Sequence, residues 1–232
     1  MALVERFGAM RADLHGIGVI FDMDGVLVDS FEPHRRSWQL LGQEIGRTVS
    51  DDQFAATFGR RSREIIEILF GPGRGEEEIR RLDDRKEELY RGLIRDCVPL
   101  MPGVEGALRT LRAAGARLAV GSSGPRENVA IVVEALAEVC RFDAVVCGVD
   151  VTRGKPDPQV FQIAAARLGL PPSACVVAED APVGLEAAHR AGMSTIALRD
   201  ARNSAPLRAD AVLETLEALS PELVRGLVRR LG

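Results

Sequence analysis

The feature that most constrains the fold is a short apolar run that ends abruptly in acidic residues. Residues 17–21 read Ile-Gly-Val-Ile-Phe, and Asp22, Met23, Asp24 and Gly25 follow directly. A run of β-branched and aromatic residues of this length is typical of a strand buried on both faces. Strand alternation would point Asp22 and Asp24 the same way, and Gly25 permits a sharp turn after them. The sequence therefore predicts two carboxylates at the end of a core strand.

Placing Asp22 and Asp24 so close together has an electrostatic cost. Two like charges at the end of a buried strand repel each other and have little solvation. A bound cation, a shared proton, or both would relieve the repulsion, and the residues by themselves leave these options open. An Asp-x-Asp turn without a chemical role is the ordinary alternative, but the apolar strand before it leaves such carboxylates little water.

After Pro102 the chain alternates between strand and helix patterns. Such alternation with short turns predicts an α/β fold, with a doubly wound parallel sheet and helices on both faces. Ligands of these sheets bind beyond the carboxyl ends of the strands. We predict strands over 117–121, 144–147, 175–178, 195–198 and 211–213, and helices over 104–114, 126–139, 158–168, 183–191 and 223–231.

Residues 31–98 show a different pattern. Helical periodicity continues through them with no convincing strand, broken by Gly59 and by a glycine-rich turn at 71–75. Because strands resume only after Pro102, we predict an all-helical insertion between the first strand and the rest of the sheet. The expected domains are a core of 16–30 with 99–232 and an insertion of 31–98, whose helices cover 33–41, 51–58, 62–70 and 76–94.

More polar residues gather where predicted strands end. Ser122 and Ser123 precede a glycine turn, where a hydroxyl and backbone N–H groups can bind a phosphoryl oxygen. Lys155 lies in a Gly-Lys-Pro-Asp-Pro turn just before a helix, with prolines that restrict the backbone. Glu179 and Asp180 end another apolar strand and can supply the oxygen ligands that magnesium prefers. A structural turn, a surface lysine and a helix cap are the ordinary alternatives.

Together these segments resemble the haloacid dehalogenase superfamily, in its subgroup of β-phosphoglucomutases and sugar phosphatases. The run from Asp22 to Ser30 resembles the first motif, Ser122 the second, Lys155 the third, and Glu179 with Asp180 the fourth. The likeness extends over almost the whole chain. It implies a Rossmann-like core with an inserted helical cap.

The resemblance also implies a role for each of these residues. Asp22 is the expected nucleophile, which forms an aspartyl-phosphate, and Asp24 is the expected general acid and base. Ser122 would hold a phosphoryl oxygen, and Lys155 would bridge the phosphate and the nucleophile. The implied cofactor is Mg²⁺, with Asp22, the backbone carbonyl of Asp24, Asp180 and Glu179 as ligands, the last directly or through water.

The cap is expected to select the substrate, because it covers the site and can exclude water. His34 and Trp38 lie one helical turn apart, so an imidazole can meet a substrate hydroxyl beside an aromatic wall. A surface histidine and a cap-core tryptophan are the alternative. Between Ser122 and Asn128 this chain has two more residues than the mutase pattern. The expected substrate contacts are His34, Trp38, Arg63, Lys86, Ser123 and Asn128.

Composition adds bounds. With 232 residues, 46% hydrophobic residues and a net charge of -4, we expect one good core plus a small second unit, and neither a nucleic-acid nor a membrane partner. Residues 1–16 contain no long apolar stretch, so we expect a loosely held extension and no signal peptide. The four cysteines lack CxxC spacing, which favours free thiols in a reducing cytoplasm.

Lysine usage singles out two positions. Of 30 basic residues only Lys86 and Lys155 are lysines, so arginine serves almost everywhere else. A site that needs a compact ammonium would retain lysine, although chance can leave two lysines anywhere. Lys86 and Lys155 are therefore candidate site residues.

The expected function is that of a magnesium-dependent phosphatase for a small sugar phosphate or a similar phosphomonoester. A phosphomutase of the β-phosphoglucomutase type needs the same core and differs in the acceptor, so it remains open. A non-catalytic binding protein would be expected to lack one of the four core residues, which are Asp22, Asp24, Lys155 and Asp180. The expected partner is a small phosphorylated metabolite, and the expected assembly is a monomer or weak homo-oligomer.

Overall fold

Six parallel strands form one sheet within the part of the chain that the computed structural model describes, residues 12–57, 60–200, 202 and 206–228. Every pair of neighbouring strands is parallel, as the alternation predicts. The strands are β1 Gly18–Phe21, β2 Arg117–Gly121, β3 Ala144–Val146, β4 Cys175–Glu179, β5 Ser194–Leu198 and β6 Ala211–Leu213.

The order of the strands positions the site. It runs β3-β2-β1-β4-β5-β6, so the chain leaves β1 toward one edge and later returns to β4 on the other side of β1. Phe21, the last residue of β1, lies opposite Val120 of β2 and Ala178 of β4. A reversal of this kind opens a crevice at the carboxyl ends of the strands. The residues that follow β1 and β4 therefore meet there.

Helices cover both faces of the sheet. Val19 and Phe21 pack into one hydrophobic layer with Leu108, while Ile20 packs into the other with Phe161. β1 is thus buried on both faces, as its apolar run predicts. The helices are α5 Val104–Ala113, α6 Arg126–Ala135, α7 Gln159–Leu168, α8 Pro182–Arg190 and α9 Pro221–Val228.

The insertion between β1 and α5 is helical and has its own hydrophobic cluster. Trp38, Phe54, Ile66 and Leu82 lie in that cluster, whose other buried members also come from the insertion. Its two connections to the sheet run side by side, since Val28 and Leu100 form an antiparallel bridge. The expected domain boundaries remain a prediction. The cap helices are α1 Phe31–Glu44, α2 Asp51–Ala55, α3 Ser62–Phe70 and α4 Glu76–Ile94.

Several helix and strand ends differ from the sequence prediction for local reasons. α1 begins at Phe31, which places Pro33 in its first turn. A proline is tolerated there, because the N–H groups of the first turn have no acceptor within the helix. α6 ends at Ala135, since the N–H groups of Ala137 and Val139 reach back only three residues. The strand predicted to reach Cys147 ends earlier, because the Cys147 N–H donates to the Asp150 carboxylate at 2.9 Å. Phe58 and residues 229–231 lie outside the described residues.

The expectation of a loosely held extension over residues 1–16 is wrong for its last part. Leu14 is fully buried in the core, and its N–H donates to the carbonyl of Ala114 at 2.8 Å. Burial of this apolar side chain in the core removes it from water and so holds the segment against the sheet domain. Residues 1–11 of that extension lie outside the described part of the chain. Among the described residues, no helix combines the length and apolarity that crossing a membrane requires.

We expect Leu14→Ala to lower the free energy of unfolding by about 2–5 kcal/mol, because it leaves a cavity under a packed segment. Leu93→Ala is the matched control, since Leu93 is 40% exposed whereas Leu14 is 0% exposed. Urea denaturation of both variants measures the difference. Equal effects of the two substitutions would show that Leu14 is not packed in solution.

Candidate active site

Asp22 and Lys155 form the centre of the site. The N–H of Asp22 donates to the Ala178 carbonyl of β4 at 3.0 Å, which fixes the residue just beyond β1. Lys155 Nζ lies 2.6 Å from Asp22 Oδ1 and 2.6 Å from Glu179 Oε1. The ammonium also lies 4.9 Å from the centre of the buried Phe161 ring. Lys155 therefore joins the ends of β1 and β4 in a poorly hydrated place.

Three carboxylates surround that single ammonium. Asp22, Glu179 and Asp180 each offer an oxygen, and these oxygens all lie within 4.8 Å of one another. Burial raises the pKa of Asp22 to about 7; Lys155 opposes this shift, and the charges of Glu179 and Asp24 add to it. Burial, followed by the charges of Glu179 and Asp22, also raises the pKa of Asp180. A hard divalent cation fits this excess of negative oxygens.

The hydrogen bonds distinguish the roles of the three carboxylates. Glu179 Oε1 accepts from Lys155, while Oε2 accepts from the N–H groups of Asp180 and Ala181, both at 2.7 Å. Glu179 is therefore occupied in holding the lysine and the turn after β4. It fits an orienting or water-mediated role better than direct ligation. Asp22 and Asp180 are better placed to hold the cation itself.

Two glycines make room for these carboxylates. Gly25 has a φ of +74°, and a Cβ at this position would overlap the Asp180 carboxylate. A Cβ at Gly184, in the first turn of α8, would overlap the side chain of Glu179. Gly25 was expected as a turn residue. Gly184 was not singled out from the sequence, because a glycine in a helix carries no sign of the distant group that it accommodates.

The turn after β2 lines the same crevice. The Ser122 N–H donates to the Val146 carbonyl at 3.0 Å, and its Oγ accepts from the Gly124 N–H at 2.9 Å. Ser122 and Ser123 line a cavity of about 350 Å³. The same cavity is lined by Asp22, Asp24, Lys155, Glu179 and Asp180.

Asp24 is held from the cap rather than from the sheet. His34 Nε2 and the Tyr90 hydroxyl each lie 3.5 Å from Asp24 Oδ1. The His34 and Tyr90 rings are stacked with centres 4.2 Å apart. Lys86 Nζ lies 2.8 Å from His34 Nδ1. Because an ammonium only donates, Nδ1 must accept, which leaves the proton on Nε2 facing Asp24.

These neighbours set the proton affinity of Asp24. Desolvation raises the pKa of Asp24, but hydrogen bonds from His34 and Ser30, with the charge of Lys86, outweigh it, so the pKa lies below its usual value. Burial and the Asp24 charge raise the pKa of Tyr90, which therefore stays a hydrogen-bond donor. The surroundings thus raise the pKa of Asp22 and lower the pKa of Asp24.

A larger cavity of about 750 Å³ adjoins the first and extends beneath the cap. His34, Trp38 and Lys86 line it from the cap, and Ser123 lines it from the core. Trp38 also belongs to the cap core, with its ring 6.2 Å from that of Phe70. The functional and the structural interpretation of Trp38 are therefore compatible.

Two expected substrate contacts lie elsewhere. Arg63 forms ion pairs with Glu67 and Glu76 and is not among the described residues that line the two cavities. The periodicity of α3 places it on the outer face. Asn128 is also outside the lining, because its Nδ2 donates to Glu87 Oε2 at 2.6 Å. The geometry therefore favours neither residue as a substrate contact.

Other lining residues were not singled out from the sequence. Arg60 and Arg61 face the larger cavity in place of Arg63. Arg202 lines the smaller cavity and pairs with Asp29 at 2.9 Å and Asp200 at 2.8 Å. No local pattern marks these arginines in a chain that is rich in arginine. Glu87 had a usable signal, since an acid next to one of two lysines is a candidate partner.

Comparison with known proteins supports the family that the sequence resembles. A family model described as haloacid dehalogenase-like hydrolase matches residues 18–192. The chain is 31% identical to the β-phosphoglucomutase of Bacillus subtilis (strain 168) over 213 residues, 89% of this chain and 92% of that protein. It is 31% identical to the fructose-1-phosphate phosphatase YqaB of Escherichia coli (strain K12) over 183 residues, 78% and 96% of the two chains.

A solved structure supports the fold. A HAD hydrolase of family IA, variant 3, from Entamoeba histolytica superposes with a TM-score of 0.82 at 23% identity, covering 92% of this chain and 99% of that one. The parallel sheet, the helical insertion and the acid cluster at the crevice are those of a hydrolase with an α/β core and a helical cap. The chain belongs to the haloacid dehalogenase-like hydrolase family. The predictions of family and of fold class are confirmed.

We expect Mg²⁺ to raise the Tm more at pH 8 than at pH 5.5. Burial raises the pKa of Asp22 from 3.8 to about 7 in the absence of a cation. The folded protein therefore binds this proton more tightly than the unfolded chain does. The resulting gain in folding stability is complete below pH 3.8 and is lost as the pH rises through about 7. Protons therefore compete with the cation below pH 7, by up to about tenfold in Kd per pH unit.

Thermal denaturation with and without Mg²⁺ across this pH range measures the effect. Asp22→Asn should weaken the pH dependence to the part that Asp180, whose pKa is also raised, contributes. An equal Tm shift at both pH values would contradict the assignment of Asp22 as a ligand.

Proposed function

We propose that this protein is a magnesium-dependent phosphatase that hydrolyses a small sugar phosphate or a similar phosphomonoester through an aspartyl-phosphate. The observation that carries the proposal is the buried Asp22–Lys155 pair, which lies beside Glu179 and Asp180 and shares a cavity with Asp24. The names of the relatives, a β-phosphoglucomutase and a fructose-1-phosphate phosphatase, support phosphate-ester chemistry.

In the first half-reaction an oxygen of Asp22 attacks phosphorus. The bond from phosphorus to the leaving oxygen breaks, and Asp24 gives its proton to that oxygen. The charge of the bound ester raises the proton affinity of Asp24, which prepares it to act as the acid. Lys155 and the Ser122 turn hold the phosphoryl oxygens. When held by Asp22 and Asp180, magnesium would draw negative charge from the phosphoryl group.

In the second half-reaction Asp24 is a carboxylate and acts as a base. It takes a proton from a water molecule, whose oxygen attacks phosphorus. The bond between phosphorus and Asp22 then breaks, which releases phosphate and restores the Asp22 carboxylate. His34 and Tyr90 keep Asp24 oriented in both steps, since each lies 3.5 Å from Oδ1.

The state of Lys86 favours hydrolysis over phosphomutation. Its Nζ lies 2.7 Å from Glu87 Oε1, and the two side chains are only 4% and 13% exposed. The ammonium is therefore already neutralised, and one of its three N–H groups remains for a hydroxyl. A mutase must hold a second phosphate, which requires uncompensated positive charge.

A phosphomutase of the β-phosphoglucomutase type is the second candidate. A protein of that name is 31% identical to this chain over 89% of its length, which favours the mutase. Arg60 and Arg61 line the larger cavity and supply positive charge that a second phosphate would need.

A cytoplasmic location and a monomeric or weakly associated state remain predictions. The free cysteines Cys97, Cys140, Cys147 and Cys175 support the first of these, because free thiols suit a reducing compartment.

We expect a panel of small phosphate esters with Mg²⁺ to yield free phosphate without a bisphosphate primer. Release of phosphate and formation of isomerised sugar phosphate are measured in the same reactions, with EDTA as the control. Primer-dependent isomerisation that outruns phosphate release would replace the phosphatase by the mutase.

Asp22→Asn should abolish turnover and phosphoenzyme formation while leaving the protein folded, because it keeps the shape of the side chain and relieves repulsion among the carboxylates. Asp84→Asn, the same change on an exposed position of α4, is the control. Steady-state rates and Tm are compared. A loss of less than about tenfold, ~1.4 kcal/mol of barrier, would rule out Asp22 as the nucleophile.

A further inference from the structure

Glu87 lines the larger cavity and also forms a contact between the cap and the core. Its Oε2 accepts from Nδ2 of Asn128 at 2.6 Å, and its Oε1 accepts from Lys86 Nζ at 2.7 Å. Glu87 and Lys86 belong to cap helix α4, whereas Asn128 lies in the first turn of α6 in the core. Asn128 is 2% exposed. One partly buried carboxylate therefore joins the two units.

We propose that Glu87 is a positioning residue that couples closure of the cap to the placement of Asp24. The inference rests on the proposed function for its consequence in catalysis. The bond from Asn128 to Glu87 exists only when α4 lies against α6. Glu87 contacts Lys86, Lys86 contacts His34, and His34 lies beside Asp24, so the bond to Asn128 affects where the Asp24 carboxylate is held.

The amide of Asn128 is suited to this contact. Its Nδ2 donates to the Glu87 carboxylate, and its Oδ1 accepts from Arg91 NH1 at 3.1 Å. A carboxylate can only accept and a guanidinium can only donate, so the two partners define the orientation of the amide. An aspartate at position 128 would keep the contact with Arg91 and place a second negative charge against Glu87.

Lys86 transmits the effect because its ammonium has little freedom. Its Nζ lies 5.4 Å from the centre of the Trp38 ring and 5.3 Å from that of Tyr90. Without the Glu87 carboxylate the buried ammonium would lose the carboxylate with which it forms an ion pair, which is unfavourable. It would then move toward solvent and release His34 Nδ1, at present 2.8 Å away. His34 would no longer be held against Asp24.

The test compares Glu87→Gln, Asn128→Asp and the double variant, with p-nitrophenyl phosphate and Mg²⁺. This probe has no sugar portion, so lost substrate contacts do not affect it. We expect each single variant to lower kcat about tenfold with KM within about threefold. The double variant should recover part of the loss, because the amide introduced on α4 can donate to the carboxylate introduced on α6 and restore the bridge.

Glu88→Gln is the matched control, since Glu88 is the next residue of α4 and pairs at the surface with Arg85. Its kcat should stay within about twofold of the wild type, and Tm measurements verify that all variants are folded. Trp38, the single tryptophan, supplies a second measurement that needs no turnover. Its emission should change in Asn128→Asp and not in Glu88→Gln.

Two results would overturn the inference. One is that Glu87→Gln and Asn128→Asp behave like Glu88→Gln in both kcat and emission. The other is that Asn128→Asp raises KM for sugar phosphates and leaves p-nitrophenyl phosphate unaffected, which would make Asn128 a substrate contact. A wild-type protein that releases no phosphate with Mg²⁺ refutes the proposed function instead, and the Trp38 measurement still tests the contact between α4 and α6.

Discussion

The ammonium of Lys155 is the group on which the site depends. It lies 2.6 Å from Asp22 and 2.6 Å from Glu179, at the point where β1 and β4 end side by side. Without it, the buried carboxylates of Asp22 and Glu179 and the partly buried one of Asp180 would face one another with no positive charge among them. With it, negative charge is still in excess, so the protein can remain folded and yet attract a cation. The same imbalance of charge makes the cluster suited to a divalent cation.

The cap extends this electrostatic arrangement to Asp24. His34, Tyr90 and Lys86 all come from the cap, yet the group that they surround belongs to the core. Asp24 is therefore surrounded by side chains of the cap, whereas Asp22 is surrounded by side chains of the core. Glu87 adds a direct connection between the two units.

Element types could be predicted from the sequence because they depend on neighbouring residues. Periodicity identifies the cap helices and the buried strands without reference to distant contacts. Element ends were predicted less well. The end of β3 depends on the Asp150 carboxylate, which takes the N–H of Cys147 from the ladder. The burial of Leu14 depends on a space beside Ala114, which is distant along the chain.

The sequence by itself determined which residues meet at the crevice. Asp22, Lys155, Glu179 and Asp180 follow or lie near strands whose carboxyl ends share one edge, so local patterns are enough to bring them together. Only the tertiary structure decided the substrate side. Whether Arg63 faces the cavity depends on the rotation of α3, and the pairing of Asn128 with Glu87 depends on how α4 lies against α6. No periodicity encodes such contacts, because they join surfaces that are far apart in the chain.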